Sequence, residues 1–218
     1  MSNPVEQEHV YCHILKGSPF IFADERCKKK LLDLTLDLFR RHQWRLYAFC
    51  VTDSKAYFLS AAEGDSSCGE FLQRAIEDFL RWNICEPGIW SGDSPDLYLE
   101  ELQKICTAEE LVNCCCAIHH IPKELNYVQQ IQDYWWSSYH TYIGSFEWKA
   151  VDCQKILLYF SDSPRLARIQ LRKFHSSFES PTLYITKAFS KHDAENKNKM
   201  KKQKESISNL FLKKLETL

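Results

Sequence analysis

Apolar positions along this chain change period from segment to segment, and each change marks an element. "HVYCHILKG" (9–17) reads as a strand closed by Gly17. From 24 to 43 the period is helical: Cys27, Leu31, Leu34 and Leu38 share a face. Acidic residues lead that segment and Arg40, Arg41 and His42 close it, the order the helix dipole favours. "WRLYAFCV" (44–51) and "KAYFLSAA" (55–62), joined by the turn signal "TDS", predict a hairpin. Ser67 and Glu70 form a capping box for a helix reaching about Trp82, with Phe71, Leu72, Ala75, Ile76, Phe79 and Leu80 on one face. "EPG" (86–88) stops it.

The stretch 89–102 starts irregular and then gives a further strand. Thr107 and Glu110 make a second capping box, opening a helix through about His119 that Pro122 ends. The aromatic segment "DYWWSSYHTYIG" (133–144) follows, then "AVDCQKILLYF" (150–160). Ser163 and Pro164 start a helix over "RLARIQLRKFHSSF" (165–178). A charged low-complexity linker (192–206) leads to a last stretch with Ile207, Leu210, Phe211 and Leu215 on one helical face. These patterns divide the chain into a domain over 1–180 and a basic linker with an amphipathic helix over 181–218. The core order strand, helix, strand, strand, helix, strand predicts an α+β fold. It is the ferredoxin-like split βαβ arrangement, an antiparallel sheet with helices on one side, here with additional C-terminal helices.

Composition permits a well-filled core: 44% of the residues are hydrophobic and 13% aromatic. No run of about eighteen apolar residues occurs, and the polar N-terminus does not resemble a signal peptide, so a cytoplasmic protein without membrane association is expected. The ten cysteines include no Cys-x-x-Cys pair, and three are consecutive (114–116). That spacing suits buried free thiols better than zinc or a disulfide framework. The formal charge of −1 is unevenly spread. From Lys187 onward nine lysines face four acidic residues, a net +5, and the body before it carries −6. A dedicated nucleic-acid binder usually has a basic body; here only the tail is basic.

Several segments, in register, resemble single-tyrosine insertion-sequence transposases of the His-x-His type, particularly the REP-associated branch. "DYWWSSYHTYIG" resembles that family's "DYPWSSYRAYLG" signature. "VYCHILKG" and "WRLYAFCV" resemble its first two strands, and "GIWSG" its "HLWQGRF" segment. "AIHHIP" resembles "YIHLNP" at the same distance from the signature, and "ILLYFSDSPRLARIQLRKF" its C-terminal helices. The resemblance spans roughly residues 9 to 178. It implies that the aromatic segment is a docking element, with Trp136 and Tyr139 packed on the core. A base-stacking platform is the alternative. Trp135 stands where the family often has proline, which predicts an extra exposed ring.

The family's chemistry needs a His-x-His pair on one strand holding a divalent metal such as magnesium or manganese, and a helix-borne tyrosine nucleophile. The resemblance places the pair on Lys55 and Tyr57 and the nucleophile on Ala117, so all three groups are missing. No catalytic residue, metal site or cofactor is therefore expected. The basic "QGRFKS" reads "SGDSPD" here, with Asp93 and Asp96. A rebuilt site could use Lys55 in place of the metal charge with Tyr57 or Tyr98 as nucleophile, or His13 approaching His119 or His120. Adjacent histidines on a helix diverge by about 100°, which opposes a shared ion.

Three functions follow. The first is a catalytically inactive, domesticated transposase-like protein that binds structured hairpin DNA or RNA through Lys16, Trp135 and the tail residues Lys199, Lys201, Lys202 and Lys204. The second is a protein-interaction module docking a partner, or a second copy as a homodimer, through Leu210 and Phe211. The third is residual metal-dependent DNA cleavage and strand transfer.

Overall fold

A computed structural model of the chain describes residues 9–62, 68–89 and 95–178, without the side chains of 68–71 and 101–103. The first capping box, the domain boundary near 180, the tail lysines and the terminal apolar stripe lie outside the described residues. Strand β1 (His9–Gly17) leads to helix α1 (Glu25–Arg41), then β2 (Arg45–Val51) and β3 (Lys55–Ala62). Helix α2 (Cys68–Cys85) and strand β4 (Leu97–Ile105) complete the split βαβ unit. The sheet order is β2-β3-β1-β4, and every neighbouring pair is antiparallel. The fold is α+β, as the order of elements predicts. Among the described residues no helix is long and apolar enough to cross a membrane.

Local chemistry explains the element ends. Asp24 caps α1 by accepting from the Arg26 N–H, with Glu25 in the first turn and Arg40 and Arg41 in the last. Helix α3 (Ala108–Glu124) opens on the Thr107–Glu110 box: the Glu110 N–H donates to Thr107 Oγ1 (3.1 Å), and the Thr107 N–H donates to Glu110 Oε2 (3.1 Å). Pro122 does not end this helix; it lies inside it. Proline there lacks the N–H for one helical hydrogen bond, while its fixed φ remains compatible with the helix. The stop comes from Asn126, at φ 59°. There the Tyr127 N–H donates to Pro122 O (2.9 Å) and the Asn126 N–H to Lys123 O (3.0 Å), a Schellman ending. At the end of β1, a Cβ on Gly17 would lie 2.6 Å from Ile21 Cγ2 and 2.8 Å from Asp96 O, so close approach requires glycine.

The sheet is covered on both sides: α1 and α2 of the split βαβ unit share one face, as expected, and the additional C-terminal helices cover the other. Successive residues of β3 point to opposite faces. Phe58 faces Phe39 of α1 (ring centroids 6.5 Å apart), and α1 packs on α2. Tyr57 lies on the side of Cys12, Cys50, Glu100 and Tyr127. Helix α3 packs on β2 and β3 and on the later helix α5 (Gln154–Phe160) rather than on α1 or α2, so it covers that second face.

The aromatic segment has a structural task. It lies along the free edge of β2, an edge that would otherwise expose unpaired backbone groups. The Val51 N–H donates to Trp136 O (2.9 Å) and the Ser138 N–H to Phe49 O (3.0 Å). Farther on, the Asp152 N–H donates to Leu46 O (2.8 Å). Tyr134 and Tyr142 are buried and donate their hydroxyls to Val51 O and Tyr47 O, each at 2.7 Å. Tyr139 is buried as well, Trp136 is packed against the core, and Trp135 remains 45% exposed. A 3-10 turn (Ile131–Asp133) enters the segment, and α4 (Tyr139–Ile143) ends at Gly144 with φ 74°. Arg168, on the last described helix α6 (Pro164–Ser177), donates to Thr141 O (2.7 Å) at that end.

Candidate functional site

On the α3 side of the sheet, three strands contribute to one charged cluster. Lys16 near the end of β1 stands opposite Lys55 at the start of β3. A register shift between Ile14 and Leu15 leaves Glu100 of β4 as the extra residue. The Glu100 carboxylate accepts from Lys55 Nζ at 2.7 Å and pairs with Lys16 Nζ at 3.1 Å. Burial pushes the Glu100 carboxyl up, but the hydrogen bonds and charges of Lys55 and Lys16 overcome this and hold it below its ordinary value. The hydrogen bond and charge of Glu100 raise Lys16 in turn. Two ammonium groups on one carboxylate leave a net +1, partly exposed, at one end of the two central strands.

Tyr57 lies beside this cluster, and Tyr127 lies beyond it near Tyr57. Tyr57 is buried, and burial, helped by nearby Cys50 and Glu100, raises its hydroxyl far above the usual range. Tyr127 is 41% exposed, its ring 5.8 Å from that of Tyr134, and its hydroxyl accepts from the Asp53 N–H (3.4 Å). Neutral phenols at these positions serve as hydrogen-bonding and stacking groups, not as anions.

A divalent metal does not fit these residues. Lys55 is committed to Glu100, the Tyr57 phenol holds its proton, and the single carboxylate is shared by two lysines. Ala117, the position the resemblance assigns to the nucleophile, is fully buried in α3. Among the described residues no group of three His, Cys, Asp or Glu side chains is arranged to hold a metal ion.

His13 does not approach His119 or His120. It pairs across the strands with Phe58, on the α1 side, and its Nε2 bonds Ser60 Oγ (3.0 Å). His119 and His120 both meet His175 of α6, a residue the sequence reading did not single out. His175 Nδ1 lies 3.0 Å from Leu171 O, which can only accept, so Nδ1 carries the proton. His175 Nε2 then accepts from His119 Nδ1–H (3.1 Å). His119 Nε2 must accept in turn, from the Ser138 hydroxyl (2.9 Å), which itself accepts from the Phe49 N–H (2.9 Å). The 3.3 Å approach of Ser138 Oγ to Phe49 O is left without a proton. One assignment of protons thus satisfies a neutral relay linking α6, α3, the aromatic segment and β2. Burial holds His119 well below its ordinary value and brings His175 to about 3. The only periodic signal for this contact is that His175 follows Leu171 by one helical turn, which sequence alone gives to any buried face.

The other expected contacts are distributed as follows. Lys16 is in the charged cluster. Trp135 packs in a separate surface group, its ring tilted against those of Phe146 (4.7 Å between centroids) and His140 (5.3 Å). Cys12, Cys27, Cys50 and Cys114 to Cys116 are buried free thiols, and burial raises Cys27 to about 11.

No protein-family model and no curated protein matches the sequence. Among solved structures, the chain is similar to a REP-associated tyrosine transposase bound to a REP hairpin. The TM-score is 0.50 at 13% identity, over 70% of this chain and 98% of that one. Similarity at this identity is similarity of fold.

Proposed function

We propose that this protein is a transposase-like scaffold that binds structured nucleic acid without performing the transposase reaction. One observation carries the reading. Where the resemblance calls for metal-holding histidines, Lys16 and Lys55 share Glu100 and present a fixed net positive charge beside Tyr57. Ammonium groups attract phosphates without a metal, and the loss of a reactive group at Ala117 removes the covalent step. The basic row Arg165, Arg168, Arg172 and Lys173 on α6 adds charge with no acidic residue in that helix. The fold is shared with a protein described as bound to a hairpin, which supports the class of ligand. The tail lysines 199, 201, 202 and 204 and the exposed Trp135 extend the same reading.

The test is fluorescence anisotropy with hairpin DNA and hairpin RNA at low and moderate salt. Binding should weaken steeply with salt, and deletion of residues 192–218 should flatten the slope. Absence of binding at low salt would sink the reading. Incubation with manganese and hairpin DNA should give no cleavage and no covalent adduct on a denaturing gel; either product would restore an enzymatic role.

A second reading is favoured by Leu158, Tyr159, Leu166 and Ile169, which are exposed on α5 and α6. Apolar side chains there suit a protein partner, as would Leu210 and Phe211 in the tail. Light scattering of the full chain and of a Leu210→Asp, Phe211→Asp variant separates the two. A complex or dimer lost in the variant supports the interaction module.

A further inference from the structure

The ends of α3 and α6 enclose a cleft of about 170 Å³ with the 130–132 segment and Tyr139. It lies apart from the lysine cluster, and the proposed function does not use it. That volume is well below the few hundred Å³ of a drug-sized ligand site and suits a single planar ring system. Its inner wall is aromatic. His120 and His175 line it, stacked with centroids 5.6 Å apart at an interplanar angle of 17°; His119 stacks on His175 at 5.3 Å but does not line the cleft. Phe178 continues the column 5.7 Å from His120. Its outer wall is polar, with the exposed amides of Gln130 and Gln132 beside Lys123 and Glu124.

One atom in this wall is unexplained by the fold. His120 is only 6% exposed, and its Nε2 is buried without a hydrogen-bond partner. A buried ring nitrogen left unpaired is costly, and its neighbours His119 and His175 are fully paired. His120 is held below its ordinary value, chiefly by burial and then by Lys123, so it is a neutral ring. Lys123 and Glu124 in the lining offset one another in charge, so the cleft has no net preference for a bare ion. Amides, which both donate and accept, suit a neutral heterocycle carrying a mixed donor and acceptor edge.

We infer that this cleft receives one unstacked nucleobase, with the Gln130 and Gln132 amides meeting its edge and a small turn of the His120 ring giving the buried Nε2 the partner it lacks. Single-stranded ends and loops present bases in this way, and proteins read them by stacking and by hydrogen bonds to the exposed edge. The inference rests on the nucleic-acid reading for its source of bases, but the same chemistry would accept a free nucleoside.

The experiment uses the full chain and a hairpin DNA with a single-stranded extension, beside versions made abasic at one extension position at a time. Substituting Phe for His120 keeps a ring and removes the unpaired nitrogen together with the hydrogen bond to the His175 backbone, so its fold is checked by circular dichroism before binding is compared. Wild type should lose roughly tenfold in affinity at one abasic position and little at the others. The H120F variant should bind every version alike, with an unchanged salt slope. Equal affinity of wild type for all versions, or an unaltered preference in H120F, would overturn the base pocket while leaving nucleic-acid binding intact. If no hairpin binds, the free nucleosides are titrated against the protein and the His120 and Tyr139 signals followed by NMR. Movement there supports the pocket and discards the nucleic-acid reading; no movement discards both.

Discussion

Two polar clusters lie on the α3 side of the sheet, and they are built on opposite principles. The Lys16–Glu100–Lys55 cluster is charged and partly exposed, and its members come from three strands. The His175–His119–Ser138 relay is neutral, buried and satisfied in one proton arrangement. Partial exposure lets water screen the first, so each of its ion pairs adds little to stability, and its charge is available to a ligand. The second is sealed from water, so every unmade bond costs in full, and its ring nitrogens are already committed to one another and to the fold. Polar residues on one face thus divide into those that hold the scaffold and those that can act, and burial divides them.

The largest effect expected from this contrast is on stability in acid. His13 and His175 fall to about 3 in the folded chain from about 6.5, because burial disfavours their charged forms. The unfolded chain therefore binds more protons once the pH drops below 6.5, and stability falls from there toward pH 3. The loss approaches about 1.4 kcal/mol per pH unit for each such histidine. Glu100 shifts the other way, below its ordinary 4.5, so its contribution is kept above that pH and lost only beneath it. Urea unfolding at pH 7, 6 and 5 isolates the histidines. A flat profile across that window would break the picture of a buried neutral relay.

Replacing one relay member comes next. Ser138→Ala leaves His119 Nε2 and the Phe49 N–H without partners and should cost about 2 kcal/mol in chemical denaturation. A cost under about 0.5 kcal/mol would mean that water or rearrangement replaces the hydroxyl, and the two clusters would be less distinct than their geometry says.

The smallest stability effect belongs to the charged cluster. Lys55→Gln removes one arm from Glu100 but leaves Lys16 in place, so stability should change by less than about 1 kcal/mol. Its signature lies in binding: the slope of log affinity against log salt for hairpin DNA should fall by roughly one unit or slightly less. A large loss of stability with no change in slope would make the cluster structural and reverse the contrast.

The elements were legible because their signals are local. The helical stripe of α1, the hairpin of β2 and β3 and the Thr107–Glu110 box each depend on neighbours within a few residues. Pro122 misled because its φ is compatible with the helix, which runs on until Asn126 enters the left-handed region. The place of Lys55 and Tyr57 on one strand face follows from their spacing of two. Their partners do not: Glu100 reaches both lysines only through a register shift in the β1–β4 pair.

By itself the sequence determined the order of strands and helices, the absence of histidines at Lys55 and Tyr57, and the aromatic density of 133–144. Only the tertiary structure decided that this aromatic segment closes the edge of β2, that His13 and His119 lie on opposite sides of the sheet, and that His120 is left with an unpaired nitrogen. The reason is range. Backbone preference and periodicity act within a turn or a strand, whereas burial and hydrogen-bond partnership are set by residues such as Phe49 and Ser138, 89 positions apart, that meet only when the sheet is complete.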